Sequence, residues 1–380
     1  MAIYDLQLLQ RVIFGEDAID GLGKCALELS AQTVLIVTDK GVKSAGYLDR
    51  ARTSLRKASL DVFVFEAVPE NPTTNDIETG VLFARECPDI DLIVGLGGGS
   101  PMDCAKGINF VLTNGGRLED FPGMNRFKNP LLPTIGIPTT AGTGSEAQSF
   151  AVIADAETHL KIAFGGRGAR FSTAVLDPKL CLSMPAPLTA ICGVDAVSHA
   201  LESYVSTRRS AISQMLGREA WKRIHRSLER VIMNPQDLAA RGEMLWGAHF
   251  AGAAIENSML GAAHATANPI TARFDVTHGI AVGLMLPHVI AMNAPVCGGS
   301  YGELIRTVGL AEDGAPAVSL IDWLMKIREE AGLPQRLREC GVERDVLPAL
   351  AREAAGQWTG RFNPKPVGEE EFLELYEEAF

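Results

Sequence analysis

The sequence has no cysteine arrangement typical of a disulfide-rich or zinc-finger protein. Its seven cysteines are odd in number, scattered and never in CxxC spacing. Because a disulfide framework needs pairs and a zinc knuckle needs close spacing, we interpret them as reduced thiols, mostly small core residues.

Basic residues are also scarce. The chain has 35 Lys and Arg against 46 Asp and Glu, a formal net charge of −11 at pH 7. Phosphate backbones are bound by basic surfaces, so we expect no nucleic-acid partner. No apolar run reaches the length of a membrane span, and the N-terminal residues lack a basic segment followed by an apolar core. We therefore expect a cytoplasmic protein with no membrane partner.

At 380 residues the chain is long enough for two domains, each with its own core. In the first half, apolar runs without polar alternation are separated by helix-like segments, which predicts a parallel sheet covered on both faces. Apolar runs on either side of residues 155–158 predict a hairpin. The expected fold class is α/β, with a parallel-sheet domain over residues 1–183 and an all-helical domain over 184–380. Strands are predicted at residues 33–38, 61–65, 91–96, 133–138 and 174–176.

Residues 97–103, GGGSPMD, follow one predicted strand and open a helix. Glycines let a backbone approach a phosphate closely, and the free N–H groups and dipole of a helix start hold an anion. Gly97, Gly98, Gly99 and Ser100 are therefore candidates for phosphate binding, although the GxGxxG fingerprint is absent. A tight strand-to-helix turn without a ligand explains the same pattern.

A second loop, TTAGTGS at residues 139–145, also follows a predicted strand. Two such loops at the strand ends of one sheet predict a nucleotide lying across them. Asp39 ends the strand at 33–38, where a carboxylate accepts hydrogen bonds from an adenosine ribose and repels a 2′-phosphate. Lys161, on the second limb of the hairpin, is either a partner of ribose or phosphate oxygens or a solvated strand lysine.

Residues 193–205, GVDAVSHALESYV, are predicted to form a helix that places Asp195 and His199 on one face, four positions apart. His264 and His278 follow in LGAAHATAN and DVTHGIAVG. One oxygen and three nitrogens make a four-ligand site for a divalent transition metal. The alternative is an ordinary hydrogen-bonded Asp–His pair. The apolar surroundings favour the metal site, because a buried charge is costly unless it is paired or coordinated.

With these motifs assembled, the chain resembles the iron-containing (group III) alcohol dehydrogenase family. The resemblance runs from residue 14 to the C-terminus, with lesser marks at residues 14–15, 71–73 and 363–366. Motifs in this number, order and spacing are highly specific. The main ones are GGGSPMDCAKG at 97–107, PTTAGTGSE at 138–146, GVDAVSHALESY at 193–204, LGAAHA at 260–265 and HGIAVGLMLPHVIAMN at 278–293.

The resemblance implies a dinucleotide-binding N-terminal domain and a metal-binding C-terminal domain, with the active site in the cleft between them. It implies that Asp195, His199, His264 and His278 are the metal ligands. It also implies a homodimer that transfers a hydride between NAD(H) and a small primary alcohol or aldehyde with Fe²⁺, or with Zn²⁺, which imidazole suits equally. The positions that match the family's cofactor contacts are Asp39, Asn71, Gly97, Gly98, Gly99, Ser100, Asp103, Thr139, Thr140, Thr143 and Lys161.

Two other functions are weighed against the dehydrogenase. A lyase on the related dehydroquinate-synthase-like scaffold also binds NAD and a metal, but its polyanionic substrate requires clustered Lys and Arg. The segments around the expected ligands are free of such residues, with Arg273 the nearest exception. A non-catalytic binding protein on an enzyme scaffold is disfavoured because all four ligands are present.

Two departures from the family pattern concern the substrate site. Many relatives carry HAxAH at the third ligand, whereas HATAN here places Asn268 at the second histidine. Asn268 either orients substrate or nicotinamide without exchanging a proton, or satisfies a backbone group at a helix end. Ile255 and Glu256 replace the usual Phe and Ser, which leaves the identity of the alcohol open. We interpret the remaining histidines as structural; they are His159, His225, His249 and His288.

Overall fold

The computed structural model describes residues 10–158, 161–311 and 314–380, which form two compact units. The first unit comprises the chain up to Thr140 together with Gly144–Ser183, and the second comprises Ala141–Thr143 and Met184–Phe380. Residues 141–143 thus group with the second unit, although they lie within the range expected for the first domain. His159, which we interpret as structural, lies outside the described residues.

The strands of the described residues all lie in the first unit. They are β1 (Arg11–Phe14), β2 (Thr33–Val37), β3 (Asp61–Phe65), β4 (Leu92–Gly97), β5 (Gly123–Met124), β6 (Thr134–Pro138), β7 (Phe150–Ala154), β8 (Lys161–Gly165) and β9 (Thr173–Leu176).

Six of these strands form one sheet in the order β1-β9-β6-β4-β2-β3, and every neighbouring pair is parallel. The five predicted strands are all present in it. The edge strand β1 was not predicted, because its four residues are exposed or half-buried and do not form a buried apolar run.

Helices cover both faces of this sheet. Alternate residues of β2 point to opposite sides: Val34 and Ile36 pack in one core cluster, and Leu35 and Val37 pack in the other. The first cluster includes α1 and α3 and the second includes α4 and α5, so both faces need apolar side chains and the polar alternation disappears. The helices are α1 (Leu22–Glu28), α2 (Lys40–Ser44), α3 (Tyr47–Lys57), α4 (Thr74–Glu86) and α5 (Gly99–Asn114).

A smaller sheet of three strands has the order β5-β8-β7. Strands β7 and β8 are antiparallel, with Phe150 opposite Gly165 and Ala154 opposite Lys161. This confirms the hairpin predicted from the two apolar runs around residues 155–158. The two-residue strand β5 pairs with β8 and is too short for a sequence pattern to indicate.

The described part of the second unit contains helices and no strand, which confirms the predicted fold class. Its first helices, α6, α7 and α8, pack together around buried residues that include Val194, Trp221 and Leu245. The helices are α6 (Ala186–Val205), α7 (Ala211–Met233), α8 (Leu238–Glu256), α9 (Ala262–Phe274), α10 (His278–Val308), α11 (Pro316–Glu330), α12 (Leu347–Gly356) and α13 (Glu369–Ala379).

The helix α10 corrects one expectation. Its 31 residues are long and apolar enough to cross a membrane, although we expected no segment of that kind. Pro287, Pro295 and several glycines interrupt the apolar residues and hide the length of the segment in the sequence. In the structure 61% of its most apolar stretch is buried within the chain, as in the core helix of a folded domain.

Candidate active site

The helix α6 carries three polar side chains along one buried face. Asp195, His199 and Glu202 stand at i, i+4 and i+7, so they lie on successive turns. Their exposed fractions are only 4%, 5% and 5%. The other residues of this face are small or apolar, and a proline in the first turn favours the helix start. Because burying such groups is costly, they need partners of opposite charge or a metal.

The first turn of α9 supplies His264 as a partner for these groups. Asp195 Oδ1 lies 3.4 Å from His199 Nε2 and 3.6 Å from His264 Nε2, and the two Nε2 atoms are 3.1 Å apart. A tetrahedral ion with bonds of about 2.1 Å has ligand atoms about 3.4 Å apart. The three atoms therefore have the spacing of three corners of such a site, and a divalent metal fits them.

Charge and burial in this cluster also suit a cation. Asp195 Oδ1 is buried and makes no hydrogen bond with the described residues. Burial raises the pKa of Asp195, but the imidazoles of His199, His264 and His278 outweigh it and hold that pKa below its usual range. Burial lowers the pKa of His264, yet the carboxylates of Glu202 and Asp195 raise it to about 9. The site thus keeps an ionised carboxylate aimed at its centre.

His278, the fourth expected ligand, is the first residue of α10 and is half-buried. Its ring centroid lies 5.3 Å from that of His264. Gly279 lets this helix start approach α6, because a Cβ on it would lie 2.4 Å from the carbonyl oxygen of Ile191. The ligand atoms that all lie within 4.8 Å of one another belong to Asp195, His199 and His264. The structure brings His278 beside that cluster, and its coordination of the metal stays a prediction.

In the first unit, the expected nucleotide contacts follow three neighbouring strands. Asp39 follows β2, the glycine loop follows β4 and Thr139 follows β6, and these strands are adjacent in the sheet. Gly97 has φ of 149°, and a Cβ on it would lie 2.6 Å from Pro101 and 3.1 Å from Asp39 Oδ2. The carboxylate of Asp39 and the loop therefore meet at one edge of the sheet, as binding of one nucleotide requires.

The other expected cofactor contacts lie at different places in the two units. The Thr139 backbone N–H donates to Gly97 O at 2.9 Å, and Thr140 lies 3.4 Å from the place of a Cβ on Gly98. Asn71 is exposed at a turn with φ of 53° before α4. Lys161 begins β8, and Gly99 and Ser100 begin α5. Thr143 belongs to the second unit.

Asp103 is engaged by its own chain. Its Oδ1 accepts a hydrogen bond from Ser145 Oγ at 2.6 Å and its Oδ2 accepts one from the Val152 N–H at 3.0 Å. Burial raises its pKa, and the nearby ammonium groups of Lys106 and Lys161 oppose that rise. These contacts give Asp103 a structural role, and its contact with a cofactor stays a prediction.

Protein-family models match residues 10–178 as iron-containing alcohol dehydrogenase and residues 189–380 as the C-terminal part of the Fe-containing alcohol dehydrogenase family. The chain is 33% identical to 1,3-propanediol dehydrogenase of Citrobacter freundii, over 97% of this chain and 96% of that one. The chain belongs to the iron-containing alcohol dehydrogenase family.

Two further relatives cover 97% and 100% of the chain. The NAD-dependent methanol dehydrogenase of Bacillus methanolicus is 31% identical, over 97% of both chains. The solved structure of an alcohol dehydrogenase from Oenococcus oeni has a TM-score of 0.94 and 31% identity, over 100% of both chains. The protein is thus an oxidoreductase of the iron-containing alcohol dehydrogenase family. The comparisons support this function over the lyase and the non-catalytic binding protein.

Sequence reasoning missed one buried polar residue in each unit. Glu202 stands three positions after His199 on the same helix face, and its carboxylate contacts His264 Nδ1. Its spacing from Asp195 and His199 was the available signal. Lys106 is 1% exposed, and its Nζ donates to Ser145 O at 2.8 Å, Ser145 Oγ at 3.0 Å and Phe150 O at 2.7 Å. These bonds join α5 to the segment that contains Ser145 and Phe150. The three-residue spacing of Lys106 from Asp103 was the available sequence signal.

Asn268 lies in the middle of α9, one turn after His264. Its Nδ2 donates to Gln357 Oε1 at 3.0 Å. The expectation that it satisfies a backbone group at a helix end is therefore wrong, because its hydrogen-bond partner is a side chain and the helix continues to Phe274. The amide pair leaves a neutral group at this position of the family pattern.

Proposed function

We propose that the protein is an NAD-dependent dehydrogenase that interconverts small primary alcohols and aldehydes with a divalent metal. The observation that carries this proposal is the cluster of Asp195 Oδ1, His199 Nε2 and His264 Nε2 at tetrahedral spacing. The relatives named for methanol and for 1,3-propanediol support a small alcohol as substrate.

Asp195, His199, His264 and His278 would hold the metal. When bound, a divalent ion supplies Lewis acidity toward an alcohol or aldehyde oxygen. Asp195 contributes the negative charge, and the buried positions of Asp195, His199 and His264 keep water away from the ligands. The family name supports iron as the resident ion, whereas imidazole and carboxylate ligands accept zinc equally.

The first unit would bind NAD and the second unit the metal, which assigns the two functions to residues 1–183 and 184–380. Asp39 would accept hydrogen bonds from the adenosine ribose. The first turn of α5, with Gly98, Gly99 and Ser100, offers N–H groups to the pyrophosphate. The relative named as NAD-dependent supports this choice of cofactor.

We also propose a cytoplasmic homodimer. The cysteines at 25, 87, 104, 181, 192, 297 and 340 are all free, which supports a reducing compartment. The dimer rests on the family resemblance alone, and size-exclusion chromatography with light scattering tests it.

The activity is tested by anaerobic incubation of the purified protein with NAD, Fe²⁺ and a panel of alcohols. The panel varies chain length, charge and branching, because Ile255 and Glu256 differ from the usual residues at their positions. NADH absorbance is expected with small primary alcohols, and the reverse reaction with the matching aldehydes. His264→Ala should remain folded and lose the activity. Absence of NADH formation across the panel with full metal occupancy would contradict the proposal.

A further inference from the structure

The buried carboxylate of Glu202 uses both oxygens on the segment that carries His264. Glu202 is 5% exposed. Its Oε1 accepts a hydrogen bond from the Ala263 N–H at 2.9 Å, and its Oε2 contacts His264 Nδ1. One side chain of α6 thus holds both the first turn of α9 and the imidazole ring.

This contact decides which nitrogen of His264 carries the proton of the neutral ring. An ionised carboxylate only accepts hydrogen bonds, so the hydrogen lies on Nδ1. The lone pair is then on Nε2, the atom that lies 3.6 Å from Asp195 Oδ1 and 3.1 Å from His199 Nε2. The ring therefore presents its metal-binding nitrogen to the cluster.

A second group accepts a hydrogen bond from the same turn. Asn363 Oδ1 accepts a hydrogen bond from the Ala262 N–H at 3.3 Å. Asn363 is held in turn by a reciprocal pair with Asn293, at 3.0 and 2.8 Å. Because Asn363 anchors the start of α9 independently, Glu202 is not its sole cap, and the contact with the ring is the distinctive role of Glu202.

We propose that Glu202 is a positioning residue for the metal, which fixes the tautomer and orientation of His264 and adds a second buried negative charge beside Asp195. The proposal rests on the metal site of the proposed function. Partners of this kind raise the basicity of a metal-bound histidine. Their loss weakens metal affinity by about 10- to 100-fold.

Glutamine at this position separates the proposed role from simple packing. The amide keeps the shape, but its NH₂ must face either the Ala263 N–H or His264 Nδ1. Facing Nδ1, it favours the tautomer with hydrogen on Nε2, which cannot bind a metal. A residue that only packed or capped α9 would change stability when replaced and leave metal affinity unaltered.

The experiment measures Co²⁺ and Zn²⁺ affinity by chelator competition, together with the visible Co²⁺ spectrum. For Glu202→Gln we expect binding weaker by about 10- to 100-fold and a changed spectrum. Asp177→Asn is the matched control: Asp177 lies in the first unit, is 0% exposed and accepts hydrogen bonds from the backbone N–H groups of Ile19 and Lys179. It should lose stability and keep wild-type metal affinity.

Wild-type affinity in Glu202→Gln would overturn the inference. His264→Ala separates this failure from a failure of the metal site, since unchanged affinity in His264→Ala would overturn both. If Glu202→Gln does not fold, the zinc-loaded wild type with ¹⁵N-labelled histidine decides by NMR. Hydrogen on Nδ1 of His264 is expected, and hydrogen on Nε2 would overturn the proposal.

Discussion

The Nε2 atoms of His199 and His264 lie 3.1 Å apart, although the residues are 65 positions apart in the sequence. Both rings are buried and stacked, with centroids 4.9 Å apart. Two lone pairs at this distance repel each other unless a proton or a cation lies between them. In the metal-free protein the carboxylates of Glu202 and Asp195 raise the pKa of His264 to about 9, so this ring supplies the proton, and a bound divalent cation takes its place.

We accordingly predict that a divalent metal stabilises the protein. At a free metal concentration 100 times Kd, the gain is about 2.7 kcal/mol, and Tm should rise by several degrees. Differential scanning fluorimetry with Zn²⁺ or Co²⁺, and with excess chelator, measures it. His199→Ala should abolish the shift. An equal shift in that variant would place the bound ion elsewhere.

A second prediction concerns the choice of NAD over NADP. The Asp39 carboxylate lies beside Gly97 and, with the cofactor bound as proposed, would face a 2′-phosphate across a short distance. Like charges there cost about 1–4 kcal/mol at effective dielectrics of about 20–80, or about one to three powers of ten in affinity. The ratio of kcat/KM for NAD and NADP measures it, and Asp39→Gly should relax the preference.

The structure supplies a better-matched variant for this test. Asp39 Oδ1 caps α2 by accepting the Val42 N–H at 2.9 Å, so Asp39→Gly removes a cap as well as a charge. Asp39→Asn removes the charge and keeps a residue that caps equally well. Both variants should relax the preference, and only Asp39→Gly should also weaken this helix. Equal efficiency of the wild type with both cofactors would contradict the assignment.

The sequence was sufficient for the parallel sheet because its strands are buried on both faces. Val34 to Val37 form an unbroken apolar run, and only a two-sided core explains that. The Asp195–His199 pair was equally predictable, because helical spacing alone puts both residues on one face. Its meeting with His264 was expected from the family resemblance. In the structure α6 and α9 both pack against α10, and Glu202 of α6 contacts His264 of α9.

The sequence did not reveal interactions that depend on distant partners. Lys106 was not identified, because its acceptors at Ser145 and Phe150 come from another part of the chain. Glu202 was not identified either, because its partners Ala263 and His264 lie on another helix, 61 and 62 positions away. The hydrogen bond from Asn268 to Gln357 could not be predicted, because the two residues are 89 positions apart. Hydrogen-bond partners of this kind become visible only when the elements are packed.

A third prediction concerns proton exchange at Asn268. Its amide donates to Gln357 and does not titrate, whereas a histidine there titrates near neutral pH. Asn268→His should add an ionisation between about pH 5 and 8 to the profile of kcat/KM. Asn268→Ala is the control, since it breaks the contact with Gln357 and adds no titrating group. An unchanged pH profile and rate in Asn268→His would indicate that Asn268 has only a structural role.

His225 lies in an aromatic cluster of the second unit. Its ring stacks on Trp323, with centroids 5.0 Å apart, and lies 5.2 Å from Trp221. Its Nε2 is buried and has no hydrogen-bond partner among the described residues. Burial lowers the pKa of His225 to about 4, and the nearby charges of Glu229 and Arg226 act in opposite directions. The folded protein thus holds this histidine neutral.

The last prediction is the pH dependence of stability that follows. The folded pKa of His225, about 4, lies below the ordinary value of 6.5, so between these values the unfolded chain binds more protons. The contribution of neutral His225 to the free energy of unfolding is complete above pH 6.5 and is lost as the pH falls toward 4. With solvent screening of the partly exposed ring, it amounts to on the order of 1–2 kcal/mol.

His225→Phe keeps the stacking and cannot titrate. Urea unfolding from pH 4.5 to 8, where the upper range serves as the internal control, should show that the variant loses less stability in acid than the wild type. Parallel curves for the two proteins through this range would contradict the prediction.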